Sequence, residues 1–252
     1  MIKGLYSAAS AMLAGVHRQQ ILSHNAANME TPGFKGIMTS LTDFMETPVS
    51  FPPGGNKAAQ ASYVGDMGLG VESSPDMTDY SEAGFQNTGH SFDLAISGAG
   101  FFRVNTPNGE RLTRDGRFSR DAQGGLVTVE GHQVLDNNGK PIKLADGDFT
   151  VNPDGSLMVN NQAAGQLGLA AFQNPATDLV RDENNTFIAA GKPSTQVQLS
   201  VQQGFLESSN VNPSELMTQM AMVVRSYEAA QKMVTTQDDL LGKAIASLGR
   251  LA

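Results

Sequence analysis

The chain has 252 residues, enough for one large domain or two small ones with a sizeable core. Its net charge of −8 argues against a nucleic-acid backbone or an anionic membrane as the main partner, so neither nucleic-acid binding nor direct membrane insertion is expected. It has no cysteine, which excludes disulfides, cysteine metal sites and thiol nucleophiles, while 27 Gly and no Trp suit a turn-rich β domain.

The charge is unevenly spread. Residues 1–35 carry Lys3, Arg18 and Lys35 against Glu30, net +2, and residues 205–252 are net −1. The acidity therefore belongs to the middle. Two nearly neutral ends suit segments that pack among copies of themselves.

Residues 3–28 read as a long, Ala-rich helix. Its apolar positions step by three and four through Leu5, Tyr6, Ala9, Leu13 and Val16, and a weaker continuation runs through Gln20, Ser23 and Ala27. This stripe is expected to pack on the helix at the other end of the chain or on neighbouring molecules. The segment is not a secretory signal, because His17-Arg18-Gln19-Gln20 interrupts any apolar core. No segment approaches the roughly 18–20 apolar residues of a membrane-spanning helix.

The helix stops at Thr31-Pro32-Gly33-Phe34-Lys35. Proline disfavours helical geometry in the residue before it, and glycine opens positive φ. A generic stop explains Pro32 and Gly33. It leaves Asn25, Asn28, Phe34 and Lys35 unexplained.

Residues 36–85 are rich in Pro, Gly, Ser and Thr and read as an extended connector, with short strand-like pieces at Val49-Ser50-Phe51 and Tyr63-Val64 and a break at Phe51-Pro52-Pro53-Gly54-Gly55. Residues 86–204 read as a central antiparallel all-β domain. Turn signals recur at Asn108-Gly109, Asp115-Gly116, Gly124-Gly125, Asn138-Gly139, Asp146-Gly147 and Asp154-Gly155. Short apolar runs lie between them, among them 101–104, 126–129, 133–135, 149–151, 157–159, 167–172 and 197–201.

The C-terminal helix has three agreeing start signals. Asn212 is a good N-cap, Pro213 suits the first helical position, and Glu215 stands three residues after the cap. Behind them a seam alternates four and three: Leu216, Met220, Val223, Tyr227, Ala230, Val234, Gln237, Leu241, Ala244, Leu248. That is the a/d pattern of a coiled coil, with Gln237 its only polar member. The helix would run roughly 50–55 Å, too long for a compact domain of this size, so the seam needs a partner.

No catalytic, cofactor or metal constellation rises above background. Gly98-Ala99-Gly100 precedes a strand rather than a helix, so it cannot cradle a phosphate. His17 and His24 share a helical face without acidic partners. Asp136-Asn137-Asn138-Gly139 lacks the flanking helices and distant Glu of a calcium loop. Arg103, Arg111, Arg114, Arg117 and Arg120 alternate with Glu110, Asp115 and Asp121, which reads as a solvated or subunit-facing salt-bridge network.

The segment Asn25…Asn28…Thr31-Pro32-Gly33-Phe34-Lys35 resembles the signature of the bacterial flagellar axial proteins, the rod and hook subunits. The chain departs from it at His24 and Ala26, where that family usually has Asn and Leu. The opening Gly4-Leu5-Tyr6-Ser7-Ala8-Ala9, the phrases Gly100-Phe101-Phe102 and Thr113-Arg114-Asp115-Gly116, the stretch Ser209–Asn212, and Arg225–Ala229 extend the resemblance over both ends and the middle. The resemblance implies an α+β structural subunit of the basal-body rod, not an enzyme, with no cofactor. Its terminal helices, residues 1–35 and 205–252, would form a coiled-coil inner layer, and the β domain would lie outside. Its partners would be copies of itself, other rod and hook axial proteins, and the flagellar type III export apparatus. It would sit in the basal body outside the cytoplasmic membrane, exported without a cleavable signal, with its ends ordering on assembly. The overall length and the two ends look most like a proximal-rod subunit. A distal-rod or hook-type subunit is the runner-up, and a secreted adhesive or carbohydrate-binding module is the remote alternative, disfavoured by the lack of Trp.

Overall fold

The computed structural model describes residues 2–51, 62–194 and 198–249. Among the described residues there are three helices, α1 (Ile2–Ala27), α2 (Pro175–Asp178) and α3 (Pro213–Leu248), with strands making up the other regular elements. The α+β class is the one expected. The central region is not all-β, however, because α2 interrupts it, started by Pro175 at its first position.

The chain divides into two compact units. One comprises Met1–His24, Met38–Asp76 and Pro213–Ala252; the other comprises Asn25–Ile37 and Met77–Asn212. These boundaries differ from those read in the sequence. The β unit takes in short segments from both ends of the chain, and the helical unit takes in most of the segment expected to be a connector.

In the β unit, the hub is the strand Gly100–Thr106. It pairs with Gly109–Thr113, Gln133–Val134 and Leu169–Ala171 in an eight-stranded antiparallel sheet that continues to Thr186–Ala189 and Leu179–Arg181 on one side and to Leu126–Thr128 and Phe118–Arg120 on the other. Successive strand residues point to opposite faces, and here both faces are covered. Phe102 enters a core with Leu94, Ile96, Val104, Leu126 and Leu157, while Phe101 enters a second with Leu112, Phe172 and Phe187. The adjacent phenylalanines thus feed two cores, which is why two large apolar residues stand in succession before Arg103.

Turns follow the chemistry of positive φ. Gly109 has φ 102° in the hairpin after Gly100–Thr106. The hairpin between Ser156–Val159 and Gln162–Gln166 uses Asn160 and Asn161 at φ 52° and 62°, a turn that a search for Asn-Gly and Asp-Gly pairs passes over. Asp115-Gly116 is not such a turn: a Cβ on Gly116 would lie 1.6 Å from the Leu94 carbonyl oxygen, so glycine here permits close backbone approach.

In the helical unit, α1 and α3 run antiparallel. Gly4 lies against the Gln237 side chain and Gly15 against the Tyr227 ring. Strands Leu41–Phe51 and Ser62–Ser73 pair in a long two-stranded ribbon, from Leu41↔Ser73 to Phe51↔Ser62. The sequence suggested isolated extended pieces here; cross-strand pairing of two long segments made them one element. Ser10 Oγ accepts the Val71 N–H at 3.0 Å, and Ser73 Oγ lies 2.8 Å from His17 Nδ1, which ties α1 to the ribbon. Pro52–Gly55, Val197 and Arg250 lie outside the described residues.

The rhythm of α3 matches its burial. Leu216 and Val223 are buried; Met220, Tyr227, Ala230, Val234, Gln237, Leu241 and Ala244 are half-buried; Gln219 apart, the other described side chains of the helix are exposed. The side chain of Leu248 is not among those described. α1 behaves differently. Its inward face carries Ala8, Ala14, Ile21 and Leu22, whereas Leu5, Tyr6, Ala9, Leu13 and Val16 are exposed. Tyr6 is 69% exposed and Leu13 74%. Small residues let helices approach closely, so α1 turns its Gly and Ala face inward and leaves its large apolar stripe outward.

Candidate functional site

Three distant segments of the β unit meet at one buried charge centre. Lys35 and Glu207 are fully or almost fully buried, at 0% and 1% exposure, and Arg114 is buried with them. Lys35 Nζ donates to Glu207 Oε1 and to the Ser81 carbonyl, both at 2.7 Å. Arg114 Nη1 donates to Glu207 Oε2 and to the Ile96 carbonyl, both at 2.9 Å, and Nη2 donates to the Gly98 carbonyl. The Ala83 N–H also donates to Glu207 Oε1, at 3.1 Å. Both carboxylate oxygens are therefore occupied, and carbonyl dipoles help balance the surplus cation. The Arg114 guanidinium also lies 5.1 Å from the centre of the Phe101 ring.

Burial pushes the Lys35 amine below its ordinary pKa, and the Glu207 carboxylate opposes that shift. Arg114 is lowered by burial and supported by Glu207 in the same way. Removing one member of such a group strands the others without water, which is the costly case for buried charge.

The motif residues before Lys35 position it. Asn25 closes the loop at its base: its Nδ2 donates to the Ile37 carbonyl at 2.7 Å, and its Oδ1 accepts the Ile37 N–H at 2.9 Å. Thr31 Oγ1 donates to Asn28 Oδ1 at 3.3 Å. Gly33, at φ 67°, donates its N–H to the Glu207 carbonyl at 2.7 Å. A Cβ there would lie 2.4 Å from the Arg114 carbonyl group, so only glycine fits. Phe34 is buried, and Arg181 lies 4.6 Å from its ring centre while donating to the Lys35 carbonyl at 2.6 Å. All six motif residues thus belong to one closed loop seated on the β core.

Glu207, Arg114 and Arg181 were not singled out from the sequence as members of this centre. Arg114 in particular does not share the solvated ion pairs of its neighbours Arg103, Arg111 and Arg117, which pair with Glu110, Asp182 and Asp115. Its partner is 93 residues away, and no local spacing announces it. The one signal was a lone Glu directly after the apolar pair Phe205-Leu206. Of the helix-start residues, Asn212 directly precedes α3, and Glu215 accepts a hydrogen bond from Gln219 Nε2 at 2.9 Å. The residues expected to mediate assembly fall on the helical unit: the α3 seam runs along its inner side and the α1 stripe is exposed. Among the described residues no cluster of His, Asp or Glu is arranged to hold a metal, and no helix is long and apolar enough to cross a membrane.

Three family models match the chain: flagella basal body rod protein over residues 5–35, flagellar hook protein FlgE/F/G D1 domain over 95–159, and flagellar basal body rod FlgEFG protein C-terminal over 202–247. The flagellar basal-body rod protein FlgG of Bacillus subtilis (strain 168) is 32% identical, covering 97% of this chain and 98% of its own length. The flagellar basal-body rod protein FlgF of Mesorhizobium japonicum is 33% identical, covering 99% of each. The chain belongs to the flagellar basal-body rod protein family. The flagellar hook-basal body complex protein FlhO of Bacillus subtilis (strain 168) also matches end to end, at 29% identity. Membership makes the chain a structural protein of the flagellar basal body. The buried centre takes Lys35 from the first matched segment, Arg114 from the second and Glu207 from the third. It is the place where the three family segments are fastened together.

Proposed function

We propose that this rod-family chain polymerises helically through its terminal helices, as a proximal-rod-type subunit of the drive shaft that transmits torque. The observation that carries this reading is the apolar stripe of α1. Leu5, Tyr6, Leu13 and Val16 stand exposed on a regular helical face, although α1 already packs on α3 through its small residues. Large apolar side chains in a continuous exposed stripe favour cover by another protein surface. α3 adds Met222, Met233 and Leu240 on a face away from its seam. Each helix thus has one side for its own chain and one for a neighbour, which is what a head-to-tail, non-closing assembly requires. In the assembled rod the helices pack as a coiled-coil inner layer among copies of this chain and other axial proteins. The subunit reaches the zone outside the cytoplasmic membrane through the flagellar type III export apparatus. The extent of the single β unit supports the proximal-rod type over a hook subunit.

The test is a pair of charge substitutions, Leu13→Glu and Met233→Glu, in the full-length chain. Both leave the monomer folded. Both are expected to stop polymerisation followed by sedimentation velocity and electron microscopy, and to abolish swimming when they replace the parent gene. Normal filaments from both variants would sink the helix-face reading. Electron cryotomography of a tagged chain then distinguishes a proximal from a distal position in the rod.

A further inference from the structure

We infer that the closed loop 25–37, together with residues 205–212, acts as the turn of a discontinuous helical hairpin and sets the register in which α1 and α3 pair. Asn25 and Asn210 grip adjacent peptides. Asn25, in the last turn of α1, holds both the N–H and the carbonyl of Ile37. Asn210, just before α3, accepts the Gly36 N–H at 2.7 Å across 174 residues of sequence, and its own N–H donates to the Phe34 carbonyl at 3.3 Å. Its Nδ2 donates to the Asp79 carbonyl at 2.9 Å. The end of one helix and the start of the other are therefore fastened to the same two-residue stretch. Lys35, Arg114 and Glu207 lie directly beneath it and anchor it in the β core.

The pairing of the helices follows from that fixed end. Chain direction enters the loop at the end of α1 and leaves it at the start of α3, so the helices can only pair antiparallel. Between the contacts Gly15–Tyr227 and Gly4–Gln237 the pair advances eleven residues on α1 and ten on α3, a single continuous register. Without the loop, the two helices would be joined only through the long stretch of chain between them in sequence. With it, the second contact is intramolecular and its effective concentration is high. Most helical stability in proteins comes from tertiary packing rather than propensity, so the order of α1 and α3 in the monomer depends on their being paired.

This inference concerns the monomer and stands whether or not the chain polymerises. The experiment is hydrogen exchange on the full-length monomer, kept dilute, comparing wild type with Asn25→Ala. Alanine is the better helix former, so any loss of helix protection cannot come from local propensity. Exchange in both α1 and α3 is expected to quicken about tenfold or more together, which corresponds to roughly 1.4 kcal/mol, while Phe102, Val104 and Leu112 remain protected. Unchanged exchange in α3, fraying confined to α1, or wild-type helices that already exchange as free coil would each overturn the inference. Loss of protection at Phe102 and Val104 would also overturn it, because the loop would then be part of the core rather than a clamp. Should Asn25→Ala fail to fold, Asn210→Ala reads the same coupling from the α3 side, with the same outcomes.

Discussion

Leu13 and Lys35 lie twenty-two residues apart near the same end of the chain, and their surroundings are opposite to what their chemistry suggests. The leucine is 74% exposed on α1, and the lysine is sealed from solvent in the β unit. In the helical unit, α1 turns Ala8 and Ala14 inward and leaves Leu5, Tyr6, Leu13 and Val16 exposed. The junction in the β unit gives its buried Lys35 cation a carboxylate and a carbonyl from the same chain. The contrast separates an exposed apolar helix face from a buried polar junction that holds one chain together.

The strongest way to break the junction is to remove its anion. Glu207→Gln leaves Lys35 and Arg114 buried against a neutral amide, and a loss of about 3–5 kcal/mol is expected in denaturant unfolding of the β unit. Phe34→Ala removes a fully buried ring under Arg181 and is expected to cost about 3–5 kcal/mol in the same measurement, less where the loop can collapse. Gly33→Ala forces a side chain into positive φ against the Arg114 backbone, with an expected loss of about 1–3 kcal/mol. On the other side of the comparison, Leu13→Ser should change monomer stability by less than about 0.5 kcal/mol while preventing polymerisation. Equal effects of Leu13→Ser and Phe34→Ala on the monomer would erase the distinction between the two units.

The smallest expected effect is on pH dependence. The Arg111 hydrogen bond holds the Asp182 carboxyl below its ordinary value of 3.8. A depressed carboxyl pKa contributes stability that is present above 3.8 and is lost as pH falls through the lowered value. Asp182→Asn should therefore flatten the acid limb of the stability curve below about pH 4, by removing a small stabilisation that the parent chain has at neutral pH. The Lys35 pKa is also lowered, chiefly by burial of its charged form. Its lowered pKa means the unfolded chain binds the proton more tightly, so its contribution rises with pH between the lowered value and 10.5. Lys35→Met should remove that alkaline rise, read as unfolding midpoint against pH.

Much of this was legible because it is local. The cap at Asn212, the first-turn Pro213 and the four–three rhythm from Leu216 to Ala244 place α3 and its inner side. The stop at Pro32-Gly33 places the end of α1 within a few residues, and apolar runs bounded by Asn-Gly and Asp-Gly place many of the central strands. The roles of the two helix faces were not legible in the same way. The stripe of Leu5, Tyr6, Ala9, Leu13 and Val16 is amphipathic by spacing, yet spacing does not say whether a stripe faces its own chain or another. That choice depends on which face lets two backbones approach, and Gly4, Ala8 and Gly15 made it. The ribbon of Leu41–Phe51 and Ser62–Ser73 was missed for a related reason: a polar, Gly-rich segment carries little periodicity, and its strands exist because they pair with each other.

The motif of Asn25, Asn28, Thr31, Gly33, Phe34 and Lys35 marks where the sequence stops being sufficient. By itself the sequence determined the elements that hydrogen-bonding and sterics resolve within a few residues: helix starts and stops, turns, and which strands are apolar. It also carried the family likeness, through phrases at both ends and the middle. Only the tertiary structure decided that Lys35 meets Glu207 across 172 residues and that Arg114 leaves the solvated arginines to join them. A buried charge is tolerated only where every partner is in place at once. Those partners come from segments that no local rule brings together.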